Sequence, residues 1–297
     1  MHAQAEPDGK DQTPTPESGP GAGNAGARLL FVDDDAYMRR LFPARFERLG
    51  ARVDVAASAQ ACLAYLEHTR PDLIVSDAVM PALDGFDLCR RLKADPAHRD
   101  IPFIILTALT RDLPQRSLQA GADDYLSKLE DDAVFRLRTR LALKLGEQRR
   151  DRASVQATGR PADILVASAS RSIPTQLGSH LQKEGIHPRE SASLAEALQA
   201  LRARTPDLLL LDLNYGQKAV LEWIALLRAT AGCAALPVMV LAAKDDEAWL
   251  PLLEPHIQDR LPKPLNSQES RHRVNLLLQI DWTGSHPPRR GGSAKLG

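Results

Sequence analysis

Five polar residues in the first half of the chain stand at the ends of short apolar runs, where they could bind a metal ion and a phosphoryl group. Asp33 and Asp34 follow one run, Asp77 ends a second, and Thr107 and Lys128 end two more. Such runs, which lack a helical period, are typical of buried parallel strands. Functional side chains of an open parallel sheet lie beyond the carboxyl ends of its strands. We therefore expect these five residues to converge on one pocket.

The residue types in this pocket predict phosphoryl chemistry that depends on a metal ion. Two carboxylates 4 Å apart repel each other by about 4 kcal/mol at an effective dielectric constant of 20. The cluster therefore needs a cation, and hard oxygen ligands in a small site favour Mg²⁺. Lys128 adds a positive charge and Thr107 a hydroxyl group, so the set could hold a phosphoryl group while Asp77 acts as the nucleophile.

Alternating strands and helices must position these residues. We predict strands at residues 29–32, 52–55, 73–77, 103–106 and 125–127. A helical pattern over residues 38–49 contains Pro43, which should kink the helix or mark its first turns. Ser58 is a predicted N-cap, another helix follows Gly85, and a long one covers residues 132–148. This alternation predicts an α/β fold with a flavodoxin-like parallel sheet of order 2-1-3-4-5.

The second half of the chain repeats the first at a constant offset of 135 residues. Asp212 lies 135 residues after Asp77, and Lys263 lies 135 residues after Lys128. Because no gap is needed, we interpret the chain as a tandem duplication of one (βα)5 domain. The predicted organisation is a disordered tail at 1–27, domains at 28–148 and 162–280, a linker at 149–161 and a second disordered tail at 281–297.

Composition excludes several classes of partner. Lys plus Arg and Asp plus Glu number 38 each and the sequence pI is about 7.1, so no global field favours DNA or an acidic membrane surface. No apolar run approaches the roughly 20 residues of a membrane span. The N-terminus lacks the layout of a signal peptide, and three scattered cysteines suit a reducing compartment. We expect a cytoplasmic protein without direct DNA binding.

Several motifs of the first domain occur in an order known from one protein family. They are Phe31-Val32-Asp33-Asp34, Asp77-Ala78-Val79-Met80-Pro81, Asp84-Gly85, Thr107-Ala108 and Gly121-Ala122-Asp123-Asp124-Tyr125-Leu126-Ser127-Lys128. Over about residues 28–148 the chain thereby resembles the CheY-like receiver domains of bacterial two-component response regulators. The resemblance implies that Asp77 accepts a phosphoryl group from a sensor histidine kinase or a phosphotransfer protein.

The resemblance also implies roles for the other residues of the site. Asp33, Asp34 and Asp77 would bind Mg²⁺ together with the backbone oxygen of Val79. Thr107 and Lys128 would contact the phosphoryl group. Tyr125 matches the family's aromatic switch residue, which turns inward when Thr107 moves towards the phosphate; packing on the last helix is an equal interpretation of this tyrosine.

One position departs from the family pattern. Leu129 follows Lys128 where the family usually has a proline, often after a cis bond. A cis bond before a residue other than proline costs roughly 2.5–4 kcal/mol. We therefore expect a trans bond here and a less fixed position for Lys128.

The second domain keeps the scaffold and loses most of the chemistry. Ser168-Ala169 replace Asp33-Asp34, Ala242 replaces Thr107 and Arg260 replaces Tyr125, while Asp212 and Lys263-Pro264 remain. We expect a degenerate receiver that serves as an adaptor, in which Lys263 pairs with Asp212.

Two other functions are compatible with parts of this pattern. Haloacid dehalogenase-type phosphatases carry a D-x-D motif on the first strand, and Asp33-Asp34-Asp35 nearly matches it, although Tyr37 does not fit and no cap insertion is present. A tandem-receiver adaptor that is never phosphorylated is a second alternative. No helix-turn-helix segment or GGDEF-type cyclase motif follows residue 280, so we expect no enzyme activity and an output through protein contacts: a downstream effector, a homodimer or a relay.

Overall fold

The structure, a computed structural model, describes residues 26–108, 113–151 and 162–280. Within these residues it contains two parallel five-stranded sheets, as the sequence predicts. The two predicted tails lie almost wholly outside the described residues, as does most of the predicted linker.

The first sheet and its helices form what we call the first repeat. Its strands are β1 (Arg28–Val32), β2 (Arg52–Ala56), β3 (Leu73–Asp77), β4 (Phe103–Thr107) and β5 (Asp124–Ser127). Its helices are α1 (Ala36–Leu41), α2 (Pro43–Glu47), α3 (Ala59–Leu66), α4 (Gly85–Ala94), α5 (Leu113–Gln119) and α6 (Asp132–Asp151). The strand order β2-β1-β3-β4-β5 is the predicted one.

The second sheet and its helices form the second repeat. Its strands are β6 (Ile164–Ala167), β7 (Arg189–Ser191), β8 (Leu208–Asp212), β9 (Val238–Ala242) and β10 (Asp259–Pro262). Its helices are α7 (Ser172–Leu181), α8 (Leu194–Ala203), α9 (Gln217–Ala229), α10 (Leu250–Leu253) and α11 (Ser267–Leu278). The order β7-β6-β8-β9-β10 matches that of the first sheet, and even the strand register is repeated: Ile105 pairs with Tyr125 as Val240 pairs with Arg260.

Local sequence signals set the ends of these elements. All five residues of β3 are buried, which is expected of a central parallel strand covered on both faces. Ser58 caps α3 by accepting a hydrogen bond from the amide of Ala61. Pro43 occupies the first position of α2, where its missing N–H costs nothing, so the predicted helix is split at Phe42 into two short ones.

Helix α6 belongs to the hydrophobic cores of both repeats. Phe135 and Ala142 pack with the first sheet. Leu137, Leu141 and Leu145 fall on another face and pack with core residues of the second repeat. The helix is 20 residues long and rich in arginine, and none of the described helices is long and apolar enough to span a bilayer. The two repeats are therefore joined by one helix that packs in both cores.

Ion pairs also connect the two repeats. Glu254 receives Arg136 in a bidentate contact, with Nε at 2.8 Å from both carboxylate oxygens, and Arg140 at 2.9 Å. The fully buried guanidinium of Arg273 lies 2.7 Å from Asp124, which is 149 positions away in the chain. Burial opposes the charge of Asp124, but Arg273 holds the pKa of this carboxyl well below its usual range.

Candidate functional site

The end of β3 carries Asp77 to the carboxyl edge of the first sheet, as predicted. Its side chain is held from two directions. One oxygen, Oδ1, accepts a hydrogen bond from the amide of Ala78 at 2.8 Å, and the other, Oδ2, lies 3.2 Å from Nζ of Lys128. Asp77 is 9% exposed, so it is sheltered but can be reached. Burial raises the pKa of Asp77, against the lowering effect of the Lys128 charge.

Asp33 and Asp34 lie beside Asp77, because β1 is the neighbour of β3. Ligand oxygens of the three carboxylates all lie within 4.8 Å of one another. Asp33 is fully buried, and its Oδ1 also accepts the amide of Asp35 at 2.9 Å, whereas Asp34 is exposed at the mouth. The predicted acidic cluster is thus assembled from two strand ends.

Lys128 bridges the two buried carboxylates. Its Nζ lies 2.8 Å from Oδ2 of Asp33 as well as 3.2 Å from Asp77. Burial alone would lower the pKa of Lys128, but the hydrogen bond to Asp33 and the charge of Asp77 raise it above the usual value. Lys263–Pro264 is the single cis peptide bond among the described residues, so the Lys128–Leu129 bond is trans, as expected. Lys128 reaches the pocket without the proline.

The loop after Asp77 depends on a close backbone approach that the sequence analysis did not identify. A Cβ atom on Gly85 would stand 2.0 Å from the carbonyl oxygen of Asp77, so only glycine fits. The amide of Gly85 donates to the carbonyl of Ala78 at 3.1 Å and closes the loop that contains Val79. Asp84 caps α4 by accepting the amide of Asp87. The Asp84-Gly85 pair therefore sets the backbone around the acidic cluster.

Thr107 lies on β4, the neighbour of the Asp77 strand, and Tyr125 lies on β5, the next strand after it. Thr107 ends β4 and is buried, and its carbonyl accepts the amide of Lys128 at 2.8 Å. Tyr125 is buried beneath the second repeat: its ring stacks on His272 with centroids 6.1 Å apart, and the guanidinium of Arg273 lies 5.1 Å from the ring centre. Arg138 of α6 contacts the same ring and donates to the Tyr125 carbonyl at 3.0 Å.

The acidic cluster has the donor set and the dimensions of a magnesium site. Mg²⁺ takes oxygen ligands at about 2.0–2.1 Å in an octahedron, so its ligand oxygens are about 3–4 Å apart. Oxygens of Asp33, Asp34 and Asp77 that lie within 4.8 Å of one another reach this spacing with small side-chain movements. The residues present therefore fit Mg²⁺.

The equivalent pocket of the second repeat is already filled by its own hydrogen bonds. Oδ1 of Asp212 receives Nζ of Lys263 at 2.7 Å and the amide of Asn214 at 3.2 Å. Oδ2 receives the hydroxyl of Ser168 at 2.6 Å. The Asp212–Lys263 ion pair is the one expected from the sequence. Ala169 adds no ligand, and among the described residues Asp212 belongs to no group of acidic side chains that could share a metal ion.

The phosphatase-like D-x-D pattern does not form a pocket. Asp35, its second carboxylate, is exposed and caps α1 by accepting the amide of Tyr37 at 2.8 Å. The carboxylate that joins Asp33 in the cluster is instead the intervening Asp34.

Sequence comparisons match both repeats to one family. Residues 29–140 and 164–275 each match the model of the response regulator receiver domain, and these ranges are again 135 residues apart. Response regulator PleD of Caulobacter vibrioides is 30% identical over 274 residues, which cover 85% of this chain and 59% of that relative. Transcriptional regulatory protein AfsQ1 of Streptomyces coelicolor is 39% identical over 121 residues, 40% of this chain and 52% of that relative. The chain thus spans less than two thirds of the length of either relative.

Two solved structures that are similar to the chain each cover less than half of it. The receiver domain of a sensor histidine kinase from Pseudomonas aeruginosa, described with a magnesium ion in its active-site cleft, is 32% identical and covers 41% of this chain and 99% of its own, with a TM-score of 0.36. A putative response regulator from Chloroflexus aurantiacus is 28% identical and covers 40% of this chain and 98% of its own, with a TM-score of 0.38.

Proposed function

The chain belongs to the response regulator receiver domain family, and on that premise we propose that its first repeat is a magnesium-dependent phosphoryl acceptor with Asp77 as the acceptor. The donor is a sensor histidine kinase or a phosphotransfer protein that carries phosphohistidine. The second repeat is an adaptor without phosphoryl chemistry of its own. The proposed location is the cytoplasm, in keeping with three cysteines that are buried and free.

One observation carries the proposal. Lys128 lies within 3.2 Å of both Asp33 and Asp77, and these two carboxylates share a cluster with Asp34. Three carboxylates against one lysine leave an excess of negative charge, which a divalent cation would neutralise. An ion pair that served only the fold would not need the exposed Asp34.

The geometry supports an in-line transfer to Asp77. A carboxylate oxygen of Asp77 forms the new bond to phosphorus while the bond from phosphorus to the donor nitrogen breaks, and the imidazole leaves with that electron pair. Lys128, released from Asp77, holds an oxygen of the phosphoryl group, and the hydroxyl of Thr107 binds another. Bound Mg²⁺, held by Asp33, Asp34, Asp77 and the Val79 carbonyl, would neutralise the oxygens of the transferring group.

Tyr125 connects this chemistry to the second repeat. If Tyr125 follows Thr107 inward on phosphorylation, as it does in the family, its ring must leave His272 and Arg273. The proposed output is therefore a change in the contact between the repeats, which biases an existing equilibrium between two arrangements. A downstream protein or a second copy of the chain would read that change.

Intact mass spectrometry after incubation with acetyl phosphate and Mg²⁺ tests the proposal. We expect the wild-type chain and the Asp212→Asn variant each to gain one phosphoryl group, and the Asp77→Asn variant to gain none. Two groups on the wild type would show that the second repeat is also an acceptor. No gain by the wild type, under conditions that label a known receiver, would leave the chain a phosphorylation-independent adaptor.

A further inference from the structure

The turn that carries Lys128 is anchored at its far side by the second repeat. The amide of Glu130 donates to the carbonyl of Ser127 at 3.0 Å and closes a tight turn around Lys128 and Leu129. The side chain of Glu130 then leaves the first repeat and accepts Nη2 of Arg260 at 2.7 Å. One turn thus has its lysine in the acidic cluster and its glutamate in the contact between the repeats.

Arg260 is held in this position by its own repeat. It stands on β10, where Tyr125 stands on β5, and the residue is 6% exposed. Its Nη1 donates to Glu247 at 3.0 Å, which leaves Nη2 for Glu130. Burial and the pairing of β10 with β9 hold Arg260 in place, so its planar guanidinium is an anchor for Glu130 that does not depend on Glu247.

The turn has few other restraints on its exposed side. Leu129 is 83% exposed, so its side chain adds little packing to hold the turn. The equivalent turn of the second repeat has Pro264 there, whose ring restricts the backbone. In the first repeat, besides Ser127, Arg45 holds the Glu130 carbonyl at 3.0 Å and Arg260 holds the Glu130 side chain. Arg260 is the anchor that the second repeat supplies.

We propose that Arg260 is a positioning residue for phosphoryl transfer at Asp77, acting through Glu130 on the turn that places Lys128. The second repeat would then contribute to the chemistry of the first as well as to its output. The proposal rests on the proposed function, because the position of Lys128 affects the reaction only if Asp77 is the acceptor.

The rate at which acetyl phosphate and Mg²⁺ phosphorylate the full chain, followed by intact mass, tests this role. Because a catalytic group displaced by an ångström loses much of its effect, we expect Arg260→Ala to slow labelling roughly five- to tenfold. Glu130→Gln should slow it similarly, and the double variant should be no slower than either single one. Arg260→Lys, which keeps the charge, should recover most of the rate.

Glu247→Gln is the matched control. It removes the other carboxylate on Arg260 and leaves Glu130 untouched, so its labelling rate should stay within about twofold of the wild type. The affinity for Mg²⁺, measured by calorimetry, should not fall in Arg260→Ala, because Asp33, Asp34 and Asp77 are unchanged. A loss of the fold would lower both quantities together.

Three results would overturn the proposal. One is a labelling rate for Arg260→Ala within about twofold of the wild type. Another is an equal loss of rate in Glu247→Gln and Glu130→Gln, and the third is a fall in Mg²⁺ affinity parallel to the fall in rate. Failure of the proposed function is seen separately, because the wild type would then take no label on Asp77.

Discussion

The pockets of the two repeats have the same scaffold, but their aspartates, Asp77 and Asp212, have opposite surroundings. Asp77 is 9% exposed and shares a cluster with two other carboxylates, whereas Asp212 is 1% exposed and is surrounded by hydrogen-bond donors. Each aspartate has a lysine partner, so the lysine does not distinguish them. The difference lies in the acid pair, which creates a need for a cation in one pocket and is absent from the other.

The loops after the two aspartates differ as much as the pockets. In the first repeat, Gly85 lets α4 begin directly against the Asp77 carbonyl, after an open loop. The equivalent residue in the second repeat is Val220, and α9 has already begun at Gln217. The segment that would offer a backbone ligand is there a 3₁₀ turn capped by Asp212 itself. The segment equivalent to the proposed metal-binding loop is thus a helical turn capped by Asp212.

Replacement of Arg273 by methionine should have the largest effect of the changes considered. It removes the nearest cation from the buried carboxylates of Asp124 and Asp259, which costs about 3–5 kcal/mol. The equivalent residue, Arg138, has its nearest carboxylate at 3.5 Å, so Arg138→Met should cost only about 1–3 kcal/mol. Urea unfolding measures the free energy of unfolding of both variants. Equal losses would contradict the expected difference between Arg273 and Arg138, the equivalent arginines of the two repeats.

Gly85→Ala should disrupt the first pocket without a counterpart in the second. The added Cβ would overlap the Asp77 carbonyl, so we expect a loss of about 1–3 kcal/mol in the free energy of unfolding and little labelling of Asp77. Gly178→Ala in α7 is the control: it meets no atom within 4 Å and should stabilise the chain by about 0.5–1 kcal/mol. Normal labelling of Gly85→Ala would show that the close approach is dispensable.

The pH dependence of Mg²⁺ binding should give the smallest effect. Burial raises the pKa of Asp77, so this carboxyl takes up a proton at a higher pH than an ordinary aspartate. Protons and Mg²⁺ compete for it, and the affinity should be full at neutral pH and fall several-fold as the pH drops through the raised pKa. Calorimetric titrations from about pH 8 down to about pH 4, the ordinary pKa of an aspartate, measure this fall. Asp77→Asn should bind more weakly but with a flatter profile, and a constant wild-type affinity would contradict the prediction.

The sequence predicted the site better than its surroundings. Asp33, Asp77 and Lys128 could be placed together because carboxyl ends of neighbouring parallel strands meet at one edge. Ser58 and Pro43 gave correct helix boundaries for equally local reasons. The burial of Arg273 could not be predicted, because an arginine in a polar helix is usually exposed and its partner Asp124 is 149 positions away. The 3₁₀ turn that precedes α9 is capped by Asp212, a contact that the offset alignment does not reveal.

Because α6 packs in the cores of both repeats, the chain cannot be divided or recombined freely between them. Leu137, Leu141 and Leu145 are buried only while the second repeat is present. If the chain were divided between the repeats, the first fragment would expose a row of leucine side chains on α6. The second fragment would expose the part of its core that α6 covers. The two receivers therefore have to be inherited together. A gene fusion that replaced either one with a receiver of unrelated sequence would also have to restore an apolar surface that fits α6.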